Sequence, residues 1–287
     1  MINLLLTGAD GFTGRIFAQK ATQAGYRIHA LQADLTDKRA VVAEVASHSF
    51  DAVVHLAAIS FVGHASDAAF YAVNVVGTMN LLSAVAASAQ TPRCVLLASS
   101  ANVYGNCEAS PISETQVPAP INHYAMSKLA MELMAQTYAD RLPLVITRPF
   151  NYTGPGQDAQ FLMPKLVSHF ARRAPIIELG NLHVEREFND VRMVCDTYLA
   201  LLQHGQAGEI YNVCSGSPIS LTKALDMLSQ LTGHHLDVQV NPAFVRANEV
   251  HCLCGDPGKL RACVGTLHAY TLQDTLEWML TQASANA

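Results

Sequence analysis

Apolar residues come in short unbroken runs along the first half of the chain, at 2–7, 26–31, 52–57, 94–98 and 143–148. Amphipathic stretches at 12–24, 37–47, 67–89 and 122–141 separate them. Continuous apolar runs read as strands buried on both faces, and the amphipathic stretches as helices. Their alternation predicts an α/β fold with a doubly wound parallel sheet. The segments 98–121 and 149–159 are rich in Ser, Pro, Gly and Asn. Each follows the carboxyl end of a predicted strand, where open α/β sheets bind ligands. Beyond about residue 150 the pattern loosens, with helices predicted at 160–173, 190–204, 220–232 and 271–283 and strands at 176–179, 209–213 and 236–240.

Glycines punctuate the first strand–helix junction, Thr7-Gly8-Ala9-Asp10-Gly11-Phe12-Thr13-Gly14. Gly8 permits a tight turn, Gly11 lets backbone approach a pyrophosphate, and Gly14 lets helix pack on strand. With the helix N-terminus facing the phosphates, the turn predicts a dinucleotide site. The fold is then a Rossmann-type domain of residues 1–158, also receiving 188–214, with a smaller interleaved C-terminal α/β lobe from 159–187 and 215–287 for substrate.

Around that turn, Asp34 and Leu35 are candidates for the adenine side; the alternative for Asp34 or Thr36 is a helix N-cap. Leu56, Ala57 and Ala58 close the third strand with the small residues a cofactor lying on backbone needs, and His55 reads as a satisfied core histidine. His29-Ala30-Leu31-Gln32 ends the second strand without the acid that would hold the ribose 2′-hydroxyl of NAD. With Arg15, Lys38 and Arg39 nearby, the expectation is NADP(H) or NAD(H), leaning to NADP(H).

Composition narrows the partners. The 287 residues are half hydrophobic and only 14% charged, so a large core and little disorder are expected. A net charge of −5 without a basic block argues against nucleic acid. The first residues read as a buried strand, not a signal peptide, and no apolar stretch is expected to reach the ~18 residues that span a bilayer. The seven scattered cysteines read as reduced core thiols of a cytoplasmic protein, with no metal site: Cys252 and Cys254 are too closely spaced for a zinc pair.

Tyr124 and Lys128 share one helix face at i and i+4. An ammonium beside a phenol favours the phenolate and pulls the tyrosine toward neutrality, making Tyr124 a proton donor or acceptor. Alone this spacing is common surface decoration. Ser99-Ser100-Ala101-Asn102-Val103-Tyr104-Gly105 places a hydroxyl at the end of the strand at 94–98. Together with the glycine turn, the set resembles the extended short-chain dehydrogenase/reductases that act on nucleotide sugars, over nearly the whole chain.

The resemblance implies roles. Ser100 is the catalytic hydroxyl, Tyr124 the general acid or base, and Lys128 the residue that holds the nicotinamide ribose and lowers the tyrosine pKa. Asn74 and Pro149 join the cofactor contacts. The segment Arg148 to Gly156 is where cofactor and sugar diphosphate meet, with Asn151 on the diphosphate. Ser100, Ala101 and Asn102 face the sugar. Leu179, Arg186, Arg246 and Glu249 match the branch acting on GDP-sugars, with the arginines on the nucleotide and Glu249 on a ribose hydroxyl. Val264-Gly265-Thr266 departs from the pattern by lacking a tryptophan after the glycine. Homodimerisation through the helices at 67–89 and 122–141 is implied by the family alone.

The 4,6-dehydratases of this group carry a glutamate where Asn102 stands, and the fucose-type epimerase/reductases a cysteine. An amide cannot abstract a C–H proton. Simple ketoreduction remains: hydride to C4 of a 4-keto-6-deoxy sugar, GDP-4-keto-6-deoxy-mannose first, as in the GDP-6-deoxy-4-keto-mannose reductases. A 4-epimerase with tightly held NAD and a non-catalytic dinucleotide sensor are the competing readings.

Overall fold

A computed structural model describes residues 2–63, 65–245 and 252–285. Chain order runs β1 (Ile2–Thr7), α1 (Phe12–Gln23), β2 (Tyr26–Ala30), α2 (Lys38–Ala46) and β3 (Ala52–His55). Next come α3 (Asp67–Tyr71), a π-helical turn (Ala72–Gly77), α4 (Thr78–Ala86), β4 (Val95–Ala98), a 3-10 turn (Ala101–Tyr104), α5 (His123–Gln136) and β5 (Leu144–Pro149). The remainder is β6 (Tyr152–Thr153), α6 (Leu162–Ala171), β7 (Ile176–Leu179), β8 (Glu185–Arg186), β9 (Asn189–Asp190), α7 (Val191–His204), β10 (Ile210–Val213), β11 (Ile219–Ser220), α8 (Leu221–Thr232), β12 (Asp237–Val240), β13 (Cys252–Leu253), α9 (Gly258–Val264) and α10 (Leu272–Ala285).

Six parallel strands form the main sheet in the order β10-β5-β4-β3-β1-β2. Strand parity explains why its runs are apolar throughout. Leu4, Leu6, Ala52, Val54, Leu96 and Val145 face the core shared with α1 and α7. Leu5, Val53, Val95, Leu97, Leu144 and Ile146 face the opposite core, shared with α2, α4 and α5. A third core joins α6, β7, α8 and α10. The chain leaves β1 toward β2 on one side and resumes at β3 on the other, so the crevice above β1 and β3 is the topological switch point.

Several expectations shift. The helix expected at 67–89 runs Asp67–Ala86 with a π-helical turn, Ala72–Gly77, inside it, and Asn74 in that turn bonds loop backbone through its side chain. The same run corrects the expectation about apolar length: Asp67–Ala86 is 20 residues with a hydropathy of 1.5, long and apolar enough by composition to cross a membrane. It packs on α2 and α5 inside the fold, and Asn74, Thr78 and Asn80 bond to protein there. Neither Asp34 nor Thr36 caps α2. Asp37 does, accepting from Arg39 and Ala40 N–H, while Asp34 turns back on Thr36 N–H and hydroxyl at 2.8 Å each.

Candidate active site

The glycine turn fits a dinucleotide. A Cβ at Gly8, whose φ is +70°, would sit 2.7 Å from Ala57 N, and one at Gly14 would strike the carbonyl of Gly8. Both glycines are therefore demanded by close packing of β1, α1 and the loop after β3. The N-terminus of α1 begins at Gly11 with no side-chain cap, so its first N–H groups face outward as an anion cradle. Thr13 Oγ1 lies 2.9 Å from Tyr152 Oη, and Phe12 stacks on the same ring at 6.0 Å. Arg15, expected near the cofactor, donates to the carbonyls of Asp10 at 2.6 Å and Gly156 at 3.2 Å. These contacts tie the glycine turn to the loop that follows β5.

Beneath the crevice runs a directed hydrogen-bond chain. Ala57 N–H donates to Thr7 Oγ1 at 3.1 Å, and the Thr7 hydroxyl donates onward to His55 Nδ1 at 2.7 Å, a direction set by the Thr78 hydroxyl at the far end of the chain. His55 Nε2–H then donates to Thr78 Oγ1 at 2.8 Å, whose hydroxyl donates to Asn74 O at 2.7 Å. Burial, with Lys128 adding repulsion, drives the His55 pKa down to about 3, so the ring is neutral. It is the satisfied core histidine expected. Asn74, expected on the cofactor, holds Ile59 N and O at 3.0 and 3.1 Å and Ser127 Oγ at 3.0 Å. Its side chain shapes the loop carrying Leu56, Ala57 and Ala58.

Asn122 caps α5 by accepting from Ala125 N–H at 2.8 Å, which sets Tyr124 in the first turn and Lys128 one turn on. Ser100 leaves β4 extended, and its Oγ accepts from Asn102 N–H at 3.2 Å. The Tyr124 hydroxyl hydrogen-bonds Ser100. Ser100, Tyr124 and Lys128 are all buried. The structure brings the three expected residues together.

Their electrostatics differ from expectation. Burial raises the Tyr124 pKa, and the bond to Ser100 offsets that only partly. Lys128 gives way instead: burial lowers it to about 8 against the pull of Glu132, and its Nζ donates to Ala98 O at 2.8 Å. Desolvation of a phenol inside a packed face outweighs the ammonium one turn away.

Arg148, expected where cofactor and sugar diphosphate meet, is buried on Glu132 instead, with Nη2 to Oε2 at 2.6 Å and Nε to Oε1 at 3.0 Å. Pro149 is buried at the end of β5 beside Val213, while Asn151 is exposed and its carbonyl accepts from Asn189 N–H at 2.9 Å. Leu179 was expected on the substrate, but β7 alternates and turns its side chain into the third core. Arg186 lies half-buried in β8, between β11 and β13. Arg246 and Glu249 lie outside the described residues. The sequence reading missed Glu187. It is fully buried and accepts from Ser215 N–H and hydroxyl, Gly216 N–H and, at 2.6 Å, Gly255 N–H. The sequence carries no signal for it, because Glu185-Arg186-Glu187 reads as an ordinary charged, solvated run.

Known proteins match this architecture. The curated GDP-6-deoxy-D-talose 4-dehydrogenase of Aggregatibacter actinomycetemcomitans is 34% identical over 276 residues, covering 94% of each chain. The GDP-6-deoxy-D-mannose reductase of Pseudomonas aeruginosa is 34% identical over 242 residues, 80% of this chain and 79% of that one. The solved structure of RMD from Pseudomonas aeruginosa, complexed with NADPH, superposes with a TM-score of 0.93 at 30% identity over 100% of both chains. The family model for GDP-mannose 4,6 dehydratase matches residues 13–279, a span that includes Ser100, Tyr124 and Lys128, and the chain belongs to that family.

Proposed function

We propose that the protein is an NAD(P)H-dependent nucleotide-sugar oxidoreductase that reduces the C4 ketone of a 4-keto-6-deoxy sugar, with GDP-4-keto-6-deoxy-mannose favoured. The observation that carries this reading is the Ser100–Tyr124 hydrogen bond with Lys128 on the same helix face, beside an uncapped glycine turn. The two 34% identical relatives, both named for GDP-6-deoxy sugars, support the substrate class. A structural relative that holds NADPH supports NADP(H), with NAD(H) the alternative.

Gly8, Gly11, Phe12, Thr13 and Gly14 would cradle the cofactor's pyrophosphate, and Lys128 its nicotinamide ribose. When bound, the nicotinamide supplies hydride. Ser100 donates to the sugar's carbonyl oxygen and polarises it. Tyr124 holds its proton firmly because burial raises its pKa. It releases that proton only to the strongly basic oxygen that forms as the carbonyl is reduced. Lys128, charged below about pH 8, then stabilises the phenolate left behind. Dehydration would need a carboxylate at Asn102, and the nearby Glu132 and Glu114 are engaged by Arg148 and by Asn212 N–H.

Asn151 and Arg186, with Arg246 and Glu249, belong to the proposed nucleotide end. Residues 1–158 with 188–214 carry the cofactor in this reading, and the rest of the chain carries the substrate. A cytoplasmic homodimer completes it, with Val76, Met79, Met126 and Leu133 exposed on the α3–α4 run and α5. A second reading concerns the product alcohol: a talose-type relative, 34% identical with 94% of both chains covered, puts the talo configuration beside the rhamno one.

The test is NAD(P)H oxidation with GDP- and dTDP-4-keto-6-deoxy sugars, with NMR of the product. Stoichiometric oxidation with a GDP-sugar supports the proposal. Isomer interconversion without added reductant would instead make it a 4-epimerase, and absence of both would leave a dinucleotide sensor.

A further inference from the structure

Behind the catalytic face lies a buried polar network that the mechanism above does not use. Glu132 follows Lys128 by one turn of α5, and its side chain and that of Arg148 are each only 4% exposed. Glu132 Oε1 accepts from the Ser99 hydroxyl and from Arg148 Nε, and Oε2 accepts from Arg148 Nη2. Arg148 Nη1 donates to Tyr104 Oη at 3.1 Å, and Tyr104 donates to Asn212 Oδ1 at 2.7 Å. The network thus runs from α5 through β5 and the 3-10 turn to β10, and Ser99 and Tyr104 bracket Ser100.

A buried ion pair is a poor stabiliser, because desolvating two charges cancels most of their attraction. Apolar residues of similar volume would hold this sheet at least as well. We propose that Glu132 is a positioning residue for the reaction: it clamps the end of β4 through Ser99 and stands as the counter-charge to the Lys128 ammonium along α5. The inference rests on Ser100, Tyr124 and Lys128 being the reacting set.

The surroundings of Lys128 make Glu132 the charge that counts. On α5 it has Tyr124 and Glu132. From β3 it meets His55, held neutral by burial. From β4 it meets the Ala98 carbonyl. Arg148 on β5 is already paired. Tyr104 of the 3-10 turn is bonded to Arg148, and burial raises it. Tyr152 and Tyr198 lie toward Tyr124, and burial keeps both protonated. Among these groups the attraction that opposes loss of the Lys128 proton comes from Glu132.

The experiment compares E132Q, E132D and S99A in the enzyme with bound NAD(P)H. The alkaline limb of the pH–kcat/KM profile is read beside the ¹³Cε titration of Lys128, which needs no sugar substrate. E132Q is expected to move both the limb and the titration to lower pH by about one unit. E132D, which keeps the charge, should restore them. S99A should lower kcat several-fold with the limb in place. An E132Q enzyme that loses only thermal stability, with the Lys128 titration unmoved, would overturn the proposal. If E132Q does not fold, the pair E132Q with R148Q leaves no unpaired buried charge, and the Lys128 titration should then move in the same direction by a smaller amount; an unmoved titration overturns the proposal there as well. A wild-type enzyme inactive on every sugar would sink the assigned reaction while leaving the titration result intact.

Discussion

Lys128 donates its ammonium to the carbonyl oxygen of Ala98 at 2.8 Å, bridging α5 to the end of β4. Burial lowers its pKa from 10.5 to about 8. The unfolded chain therefore holds a proton that the folded chain gives up between those values. The charged lysine costs stability at pH 7, and the cost fades as pH rises through about 8 toward 10.5. Lys128→Met should raise stability at pH 7 by about 1–2 kcal/mol, or a few degrees in Tm for a chain of this size. The same variant should lose activity by ~100-fold or more. In the wild type, turnover should fall as pH passes about 8 and the cation is lost. Thermal melts and a pH–rate profile on both proteins check this, and a K128M enzyme with wild-type turnover would refute the assigned role.

Tyr124 and Ser100 share a hydrogen bond, whereas Asn102 contributes its backbone N–H to Ser100 Oγ. Tyr124→Phe should remove the proton donor and cut kcat by ~10³-fold, within the usual range for a general acid. Dinucleotide affinity, measured by titration calorimetry, should change little. Ser100→Ala should cost far more than Asn102→Ala, because only the backbone of Asn102 engages the hydroxyl. A larger loss at Asn102 would mean that its amide acts on the sugar directly.

The main sheet was legible because its strands are buried on both faces, which leaves unbroken apolar runs such as Leu4-Leu5-Leu6 and Val95-Leu96-Leu97. Ser100, Tyr124 and Lys128 were legible because helix spacing and a strand end suffice to bring them together. The strands β6, β8, β9, β11 and β13 are two residues each and carry no periodicity to read. Arg148 was placed at the ligand because nothing local reveals a partner 16 residues earlier on another element. The direction of the Tyr124 shift depends on how deeply α5 packs, which the i,i+4 spacing does not encode.

His55 titrates near 6.5 in the unfolded chain but only near 3 in the fold, where Thr7 and Thr78 occupy both ring nitrogens. Between these values the unfolded state binds a proton that the native state refuses. Stability should fall by about 1.4 kcal/mol per pH unit below ~6 from this one group. His55→Gln, which removes the titration, should flatten that part of the curve even if it is less stable at pH 7. Urea unfolding across pH 4 to 7 measures it, and identical slopes in the two proteins would exclude His55 as the source.

Met126 and Leu133 lie seven residues apart on α5, so they share a face, and they are 41% and 64% exposed. On the neighbouring run Val76 and Met79 are exposed as well. Burying such side chains in a dimer is worth about 1.5–3 kcal/mol each. Leu133→Asp should therefore weaken the proposed homodimer by ~10-fold or more without unfolding the protomer. Light scattering over a dilution series, with circular dichroism as a control, gives the answer. A wild-type protein that is monomeric at micromolar concentration would remove the dimer.

Four donors, Ser215 N–H and hydroxyl, Gly216 N–H and Gly255 N–H, converge on the two carboxylate oxygens of Glu187. They come from the turn after β10 and from the segment after β13, so one carboxylate joins the main sheet to the small sheet that contains Arg186. Glu187→Gln keeps the shape but turns an amide NH₂ toward backbone N–H groups, which leaves at least one donor unmade. That costs about 1–3 kcal/mol. Because the loss falls on the junction and not on the glycine turn, sugar-nucleotide affinity should drop several-fold while dinucleotide affinity holds. Calorimetric titration of GDP and of NADPH into the variant separates the two. Equal losses for both ligands would mean that Glu187 supports the whole fold and not the lobe that carries Arg186.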